Sequence, residues 1–249
     1  MISSQRFNDY SNGLKRLSEI AGMDVEQQIQ RLIKQHPDAS VAEIRDMTID
    51  LLTSLCGTYS EVASSVSATF YDTVADEAGA KLASAVIAPH DDPQSLEKTV
   101  RYKAGKLSDG DVDGFAHECG RFVSGNMKRS ANETIMANAK RDKRRGVRFA
   151  RVPTGAETCP FCYMLASRGA VYWSRESAGE FNHFHNDCDC RIVPSFDVDG
   201  SHGVVEGYDP DEMLKVMSKI EKETGYSFAH GEGSRQNSEA LKKYFEKHK

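Results

Sequence analysis

The sequence predicts a mainly α-helical protein with a small α+β module of zinc-knuckle type, behind an elongated helical N-terminal region. Three observations carry that expectation. Apolar residues recur every three or four positions from Ile44 to Val74. A second helical stripe runs from about Val112 to Ala139. Cys159, Cys162, His185, Cys188 and Cys190 then gather where the helical pattern has given way to short alternating segments. The chain divides accordingly into a helical region over 1–146, a Cys/His knuckle over 147–200 and a helical tail over 201–249.

In order, residues 1–37 carry short helical patterns, with Leu14, Leu17, Ile20, Val25, Ile29, Leu32 and Ile33 on repeating faces. Gly22 and His36-Pro37 punctuate them. Ser40 and Glu43 have the spacing of a capping box. The stripe that follows (Ile44, Met47, Leu51, Leu55, Tyr59, Val62, Val66, Phe70, Val74) requires one helix of about 45 Å. Gly79 and the stretch 88–93 mark a turn region, and Asp92-Pro93 suits a new helix start. On the second long helix Val112, Phe115, Cys119 and Phe122 share a face, and Cys56 and Cys119 read as small core residues rather than reactive thiols.

That helix ends in a basic run of Lys140, Arg141, Lys143, Arg144, Arg145, Arg148 and Arg151, broken by Asp142. The run over 140–151 is a candidate contact for the phosphates of nucleic acid. The plainer reading, a solvated helix end whose cations suit the helix dipole, is favoured because no aromatic residues are interleaved for base stacking. Beyond it, 147–152, 170–173 and 191–196 are strand candidates, too small a sheet to hold itself without a staple. In the tail, Asp209-Pro210 opens a helix with Met213, Leu214, Met217 and Ile220 on its apolar face, and a last helix carries Leu241, Tyr244 and Phe245.

The cluster has the grammar of a metal site. Cys159 and Cys162 have the two-residue gap that turns two sulfurs toward one tetrahedral ion, and His185 and Cys188 repeat it. Cys190 competes with Cys188 for the fourth place, and His183 is a weaker candidate for the nitrogen ligand. Four protein ligands close a structural zinc site, so catalysis by the ion is not implied. Zinc binding contributes roughly 10–16 kcal/mol in small finger peptides, enough to decide whether a scrap of sheet folds. Rival readings are a disulfide pair between 159/162 and 188/190, a glutaredoxin-like thiol oxidoreductase built on Cys159-Pro160-Phe161-Cys162, and a metal-dependent nuclease using His185-Asn186.

A net charge of -5 and a pI near 5.9 argue against nucleic-acid binding over the whole surface. No apolar run approaches a membrane span, and the first residues lack a secretion pattern, so a reducing compartment and metal-bound cysteines are expected. Phosphate loops, Gly-x-Ser-x-Gly elbows and His-Glu-x-x-His helices are missing from the sequence, which points away from those enzyme classes.

Arg151-Val152-Pro153-Thr154-Gly155, Thr158-Cys159-Pro160-Phe161-Cys162, Leu165 to Tyr172, and Phe184 to Cys190 resemble the MuF-like minor capsid proteins of tailed bacteriophages. The resemblance covers roughly 147–210; Asp189 departs from it, where many relatives carry arginine, but is not a ligand type the site needs. It implies a structural minor component of the phage head, in the head interior and, during assembly, the host cytoplasm. Portal or major capsid protein would be its partner, with self-association through the 44–74 helix and contact of 140–151 with packaged DNA as further possibilities, and its role would lie in head morphogenesis or DNA packaging and ejection. About fifty residues follow the 147–200 knuckle, too few for the toxin domains fused to some relatives.

Overall fold

The computed structural model describes residues 1–154, 158, 160–174, 190–197, 203–225 and 234–247. Three long helices build the body: α1 (Ser4–Gln35), α2 (Val41–Glu77) and α5 (Val112–Arg141), the last packing extensively against both others. Between α2 and α5 lie an extended strap and the shorter α3 (Pro93–Lys103) and α4 (Gly105–Ser108). After α5 come a 3-10 turn (Lys143–Arg145), β1 (Arg148–Val152), α6 (Pro160–Ala166), β2 (Arg191–Ser195), α7 (Pro210–Thr224) and α8 (Ser234–Lys247).

Caps set the helix starts as the sequence predicts. Ser40 Oγ accepts from Glu43 N while Glu43 accepts from Ser40 N, a complete capping box. Asp92 and Asp209 each cap a helix whose first position is proline. Gly22, however, does not interrupt α1, which runs unbroken for 32 residues. Its function is proximity: a Cβ on the facing Gly120 would stand 2.7 Å from the Gly22 carbonyl oxygen, so the glycines let α1 and α5 touch backbone to backbone.

Ile44, Phe70 and Val74, at the two ends of the predicted stripe, are buried as expected, but between them the buried face of α2 lies one row over. Thr48, Leu52, Cys56, Ser60, Ser64, Ser67 and Tyr71 point inward, while Leu51, Leu55, Tyr59 and Val66 flank them half-buried and Val62 is 39% exposed. Small hydroxyl residues at the centre of this face let α5 approach closely, and hydropathy alone does not mark such a face. The stripe is thus packed chiefly within this chain, against α1 and α5.

The strap between Gly79 and Pro93 is an ordered ladder rather than a plain turn. Asn138 donates to Val86 O and accepts from Val86 N, Thr134 Oγ1 accepts from Ala88 N, Ser130 Oγ accepts from His90 N, and Asn126 donates to His90 O. At its start Arg141 donates to the carbonyls of Ala83 and Ser84.

β1 and β2 pair antiparallel, with Arg151 opposite Ile192 and Val152 opposite Arg191, and Tyr172 adds a single bridge to Phe149. This small sheet does not form a module with a core of its own. Phe149, Ala150, Ile192 and Val193 are fully buried in the same apolar cluster as the three long helices, and Ile192 N donates to Asn132 Oδ1 of α5. The core therefore continues across residue 146. A second, small cluster joins Met217, Ile220, Ala240 and Leu241 of the tail helices to Tyr163 and Met164 of α6, while Leu214 stays exposed. The chain start is tied in as well, Ile2 N donating to Val204 O and Glu206 N to Ile2 O.

Candidate metal centre

Cys162 and Cys190 approach from different elements. Cys162 sits in the first turns of α6, and two phenols fix that short helix at its C-terminal end: Tyr172 Oη donates to Leu165 O at 2.7 Å and Tyr208 Oη to Ala166 O. Burial pushes the Tyr172 hydroxyl up to about 12, so it remains a donor at neutral pH. Cys190 immediately precedes β2, at the parity of Ile192, and Ile192 faces Arg151 across the sheet.

The result is a buried triad. The Cys162 and Cys190 sulfurs are 3.6 Å apart, and Arg151 Nη2 donates to Cys190 Sγ at 2.9 Å and to Cys162 Sγ at 3.6 Å. Each of these residues is only 1% exposed. The two sulfurs are not bonded to each other, since a disulfide stands at about 2.05 Å. It suits two ligands of one tetrahedral zinc ion, which at about 2.3 Å per Zn–S bond stand about 3.8 Å apart. A guanidinium keeps its proton at any biological pH, so it can offset the negative charge of a metal-bound sulfur beside it. Hydrogen bonds to ligand sulfur from outside the coordination shell are a usual part of such sites. The described residues fit the ion to this extent.

Cys159, His183, His185 and Cys188 lie outside the described residues. Among the described residues no group of three or more His, Cys, Asp or Glu side chains converges on a common point. Of the expected ligands, the structure brings together Cys162 and Cys190. Arg151, grouped by sequence with the basic run, is a core residue; its parity with Phe149 in an alternating strand was the available signal. The remaining cysteines behave as expected of core residues: burial first, then the nearby Asp91 and Glu118 carboxylates, push the Cys56 and Cys119 thiols respectively up to about 12.

The candidate DNA contacts also divide. Arg141 is engaged with the strap and with Asp142, whereas Lys140, Lys143, Arg144 and Arg145 are exposed and Arg148 is half-buried. No helix among the described residues is long and apolar enough to cross a membrane.

A bundle of long helices with a buried thiol–guanidinium centre at its sheet end defines a helix-rich, cysteine-centred protein. The chain belongs to the VG15 protein family, whose model matches residues 1–220, the helical body as well as the cysteine segment. It is similar to the Gene 15 protein of Mycobacterium phage D29, 29% identical over 117 residues, which cover 36% of this chain and 42% of that protein. It is also similar to the Gene 15 protein of Mycobacterium phage L5, 35% identical over 86 residues, 20% of this chain and 29% of that protein. The chain thus spans less than half the length of the curated relatives it matches. It is a bacteriophage protein. No solved structure matches it.

Proposed function

We propose that this protein is a structural minor component of the phage head, MuF-like in role, whose cysteine cluster binds zinc as a staple. In this reading it resides inside the virion and contacts the portal or major capsid protein. The observation that carries it is the burial of the centre: Cys162, Cys190 and Arg151 are walled into the core. A thiol active site needs an exposed attacking sulfur, so a buried pair suits a fastener better than a catalyst. Membership of a phage protein family supports the virion assignment.

When bound, zinc would supply charge and cross-linking, joining α6 to the start of β2 through Cys162 and Cys190. Of the further candidates Cys159, His185 and Cys188, two complete the site. Arg151 orients the Cys190 sulfur and offsets thiolate charge. Because most of the 44–74 stripe is covered by α1 and α5, self-association through α2 would have to use its outer residues, such as Val62.

The test has two arms. Protein purified without chelator should contain one zinc per chain, released together with thiol reactivity only on denaturation. Mass spectrometry of purified particles should find the chain in low copy number. Readily oxidised thiols with no metal would move the assignment to thiol redox chemistry, metal-dependent cleavage of DNA would move it to the nuclease, and a chain missing from purified particles would refute the head role.

A further inference from the structure

The fold sorts the cations between residues 140 and 151 in a way the sequence does not reveal. Arg151 turns into the core, and Arg141 is held by Ala83 O, Ser84 O and Asp142. Asp142, the acid within the run, is 8% exposed and turned inward, accepting from Tyr71 Oη at 2.8 Å and from Arg141. What remains outward is positive: Lys140, Lys143, Arg144 and Arg145 are exposed, with Arg148 beside them. Lys140, Lys143 and Arg144 make no side-chain hydrogen bond or ion pair among the described residues.

Helix-dipole stabilisation accounts for Lys140, in the last turn of α5, but not for Lys143, Arg144 and Arg145, because the effect fades within that turn and the 3-10 turn lies beyond it. Four exposed cations so close in sequence repel one another, on a chain whose net charge is -5.

An aromatic residue from another segment joins Arg148, the next cation along the run. The bridge between Phe149 and Tyr172 buries those two rings on one face, so their neighbours Arg148 and Trp173 turn to the other. There the Arg148 guanidinium lies 5.6 Å from the centre of the Trp173 ring, and Trp173 is 47% exposed. The stacking group that the basic run lacks in sequence is supplied in space.

We propose that Lys140, Lys143, Arg144, Arg145, Arg148 and Trp173 form a binding face for a single nucleic-acid strand. The cations take its phosphates, and Trp173 stacks on an unpaired base. The proposal rests on the outward charge and the Arg148–Trp173 pair and stands apart from the head assignment.

The sequence contains a single tryptophan, so its emission reports on this face alone. Titrating the full chain with a labelled oligo-dT should quench that emission. With about four phosphates neutralised, the log–log salt slope should be about -3. Replacing Lys143, Arg144 and Arg145 together by glutamine should weaken binding at least tenfold and flatten that slope by about 2. Trp173→Leu, followed by anisotropy of the labelled strand, should cost about tenfold and leave the slope unchanged. Helical circular dichroism of each variant should match the parent, since the substituted residues are exposed or half-exposed. The proposal is overturned if the triple variant binds like the parent. It is equally overturned if binding leaves the emission unchanged, or if a duplex binds more tightly than the single strand.

Discussion

Arg151 and Asp142 are buried ionisable residues with opposite roles. Arg151 brings a fixed positive charge to two sulfurs, and removing one partner of a buried charged contact typically costs about 3–5 kcal/mol. Arg151→Met should therefore lower urea-unfolding stability by about that amount. A loss below about 1 kcal/mol would mean that the arginine contributes only stem packing. At Asp142, burial pushes the carboxyl up, but the stronger combined pull of the hydrogen bonds from Arg141 and Tyr71, with the Arg141 and Arg145 charges, holds it below its ordinary value. A carboxylate depressed in the folded state stabilises the fold above its unfolded value of about 4, and that contribution is lost as pH falls through the native value. Asp142→Asn should cost about 1–3 kcal/mol at pH 7, and the gap to the parent should narrow below about pH 4 in melts recorded across pH. Trp173 was the least legible residue, since the partner that gives it meaning, Arg148, stands in β1. Cys162 and Cys190 were legible as ligand candidates because ligand spacing is a local property of the chain.

At the scale of elements, the ladder between the strap and α5 works by a match of lengths. Asn126, Ser130, Thr134 and Asn138 recur every four residues, a rise of about 6 Å, close to the two-residue rise of about 6.6 Å in extended chain. The helix thus offers side chains where a neighbouring strand would offer backbone. Asn138→Ala leaves both polar groups of Val86 without their partner, which should destabilise the protein by about 2–3 kcal/mol. Hydrogen exchange should accelerate at Val86, Ala88 and His90 before it does in α5; uniform protection across the strap would contradict the ladder. None of this was readable in sequence, where a polar row on a helix looks like its solvent face. The starts and caps of α2, α3 and α7 were readable, because their signals lie within a few residues of each start. The inward row of α2 was not, because serine and threonine at a close helix contact resemble surface residues.

For the whole molecule, the decisive feature is the single core that crosses residue 146. A self-contained knuckle could unfold while the helices stayed folded. The burial of Phe149, Ile192 and Val193 among residues of α1, α2 and α5 predicts one cooperative transition instead. Unfolding in urea, followed by helical circular dichroism and by Trp173 emission, should give coincident curves. An earlier fluorescence transition would restore an independent module. Division of the chain from sequence followed a change of texture near Val147, and such a change marks a new kind of secondary structure without indicating where its apolar face is buried.

The strap also imposes an order of events. Its partners on α5 become correctly spaced only after that helix has wound and residues 126–138 share one face. Until then Val86, Ala88 and His90 have nothing aligned to bond. The strap must therefore be among the last segments to lock. Shortening its ladder should speed unfolding and leave the refolding rate almost unchanged, because these contacts are still unmade when the folding barrier is crossed.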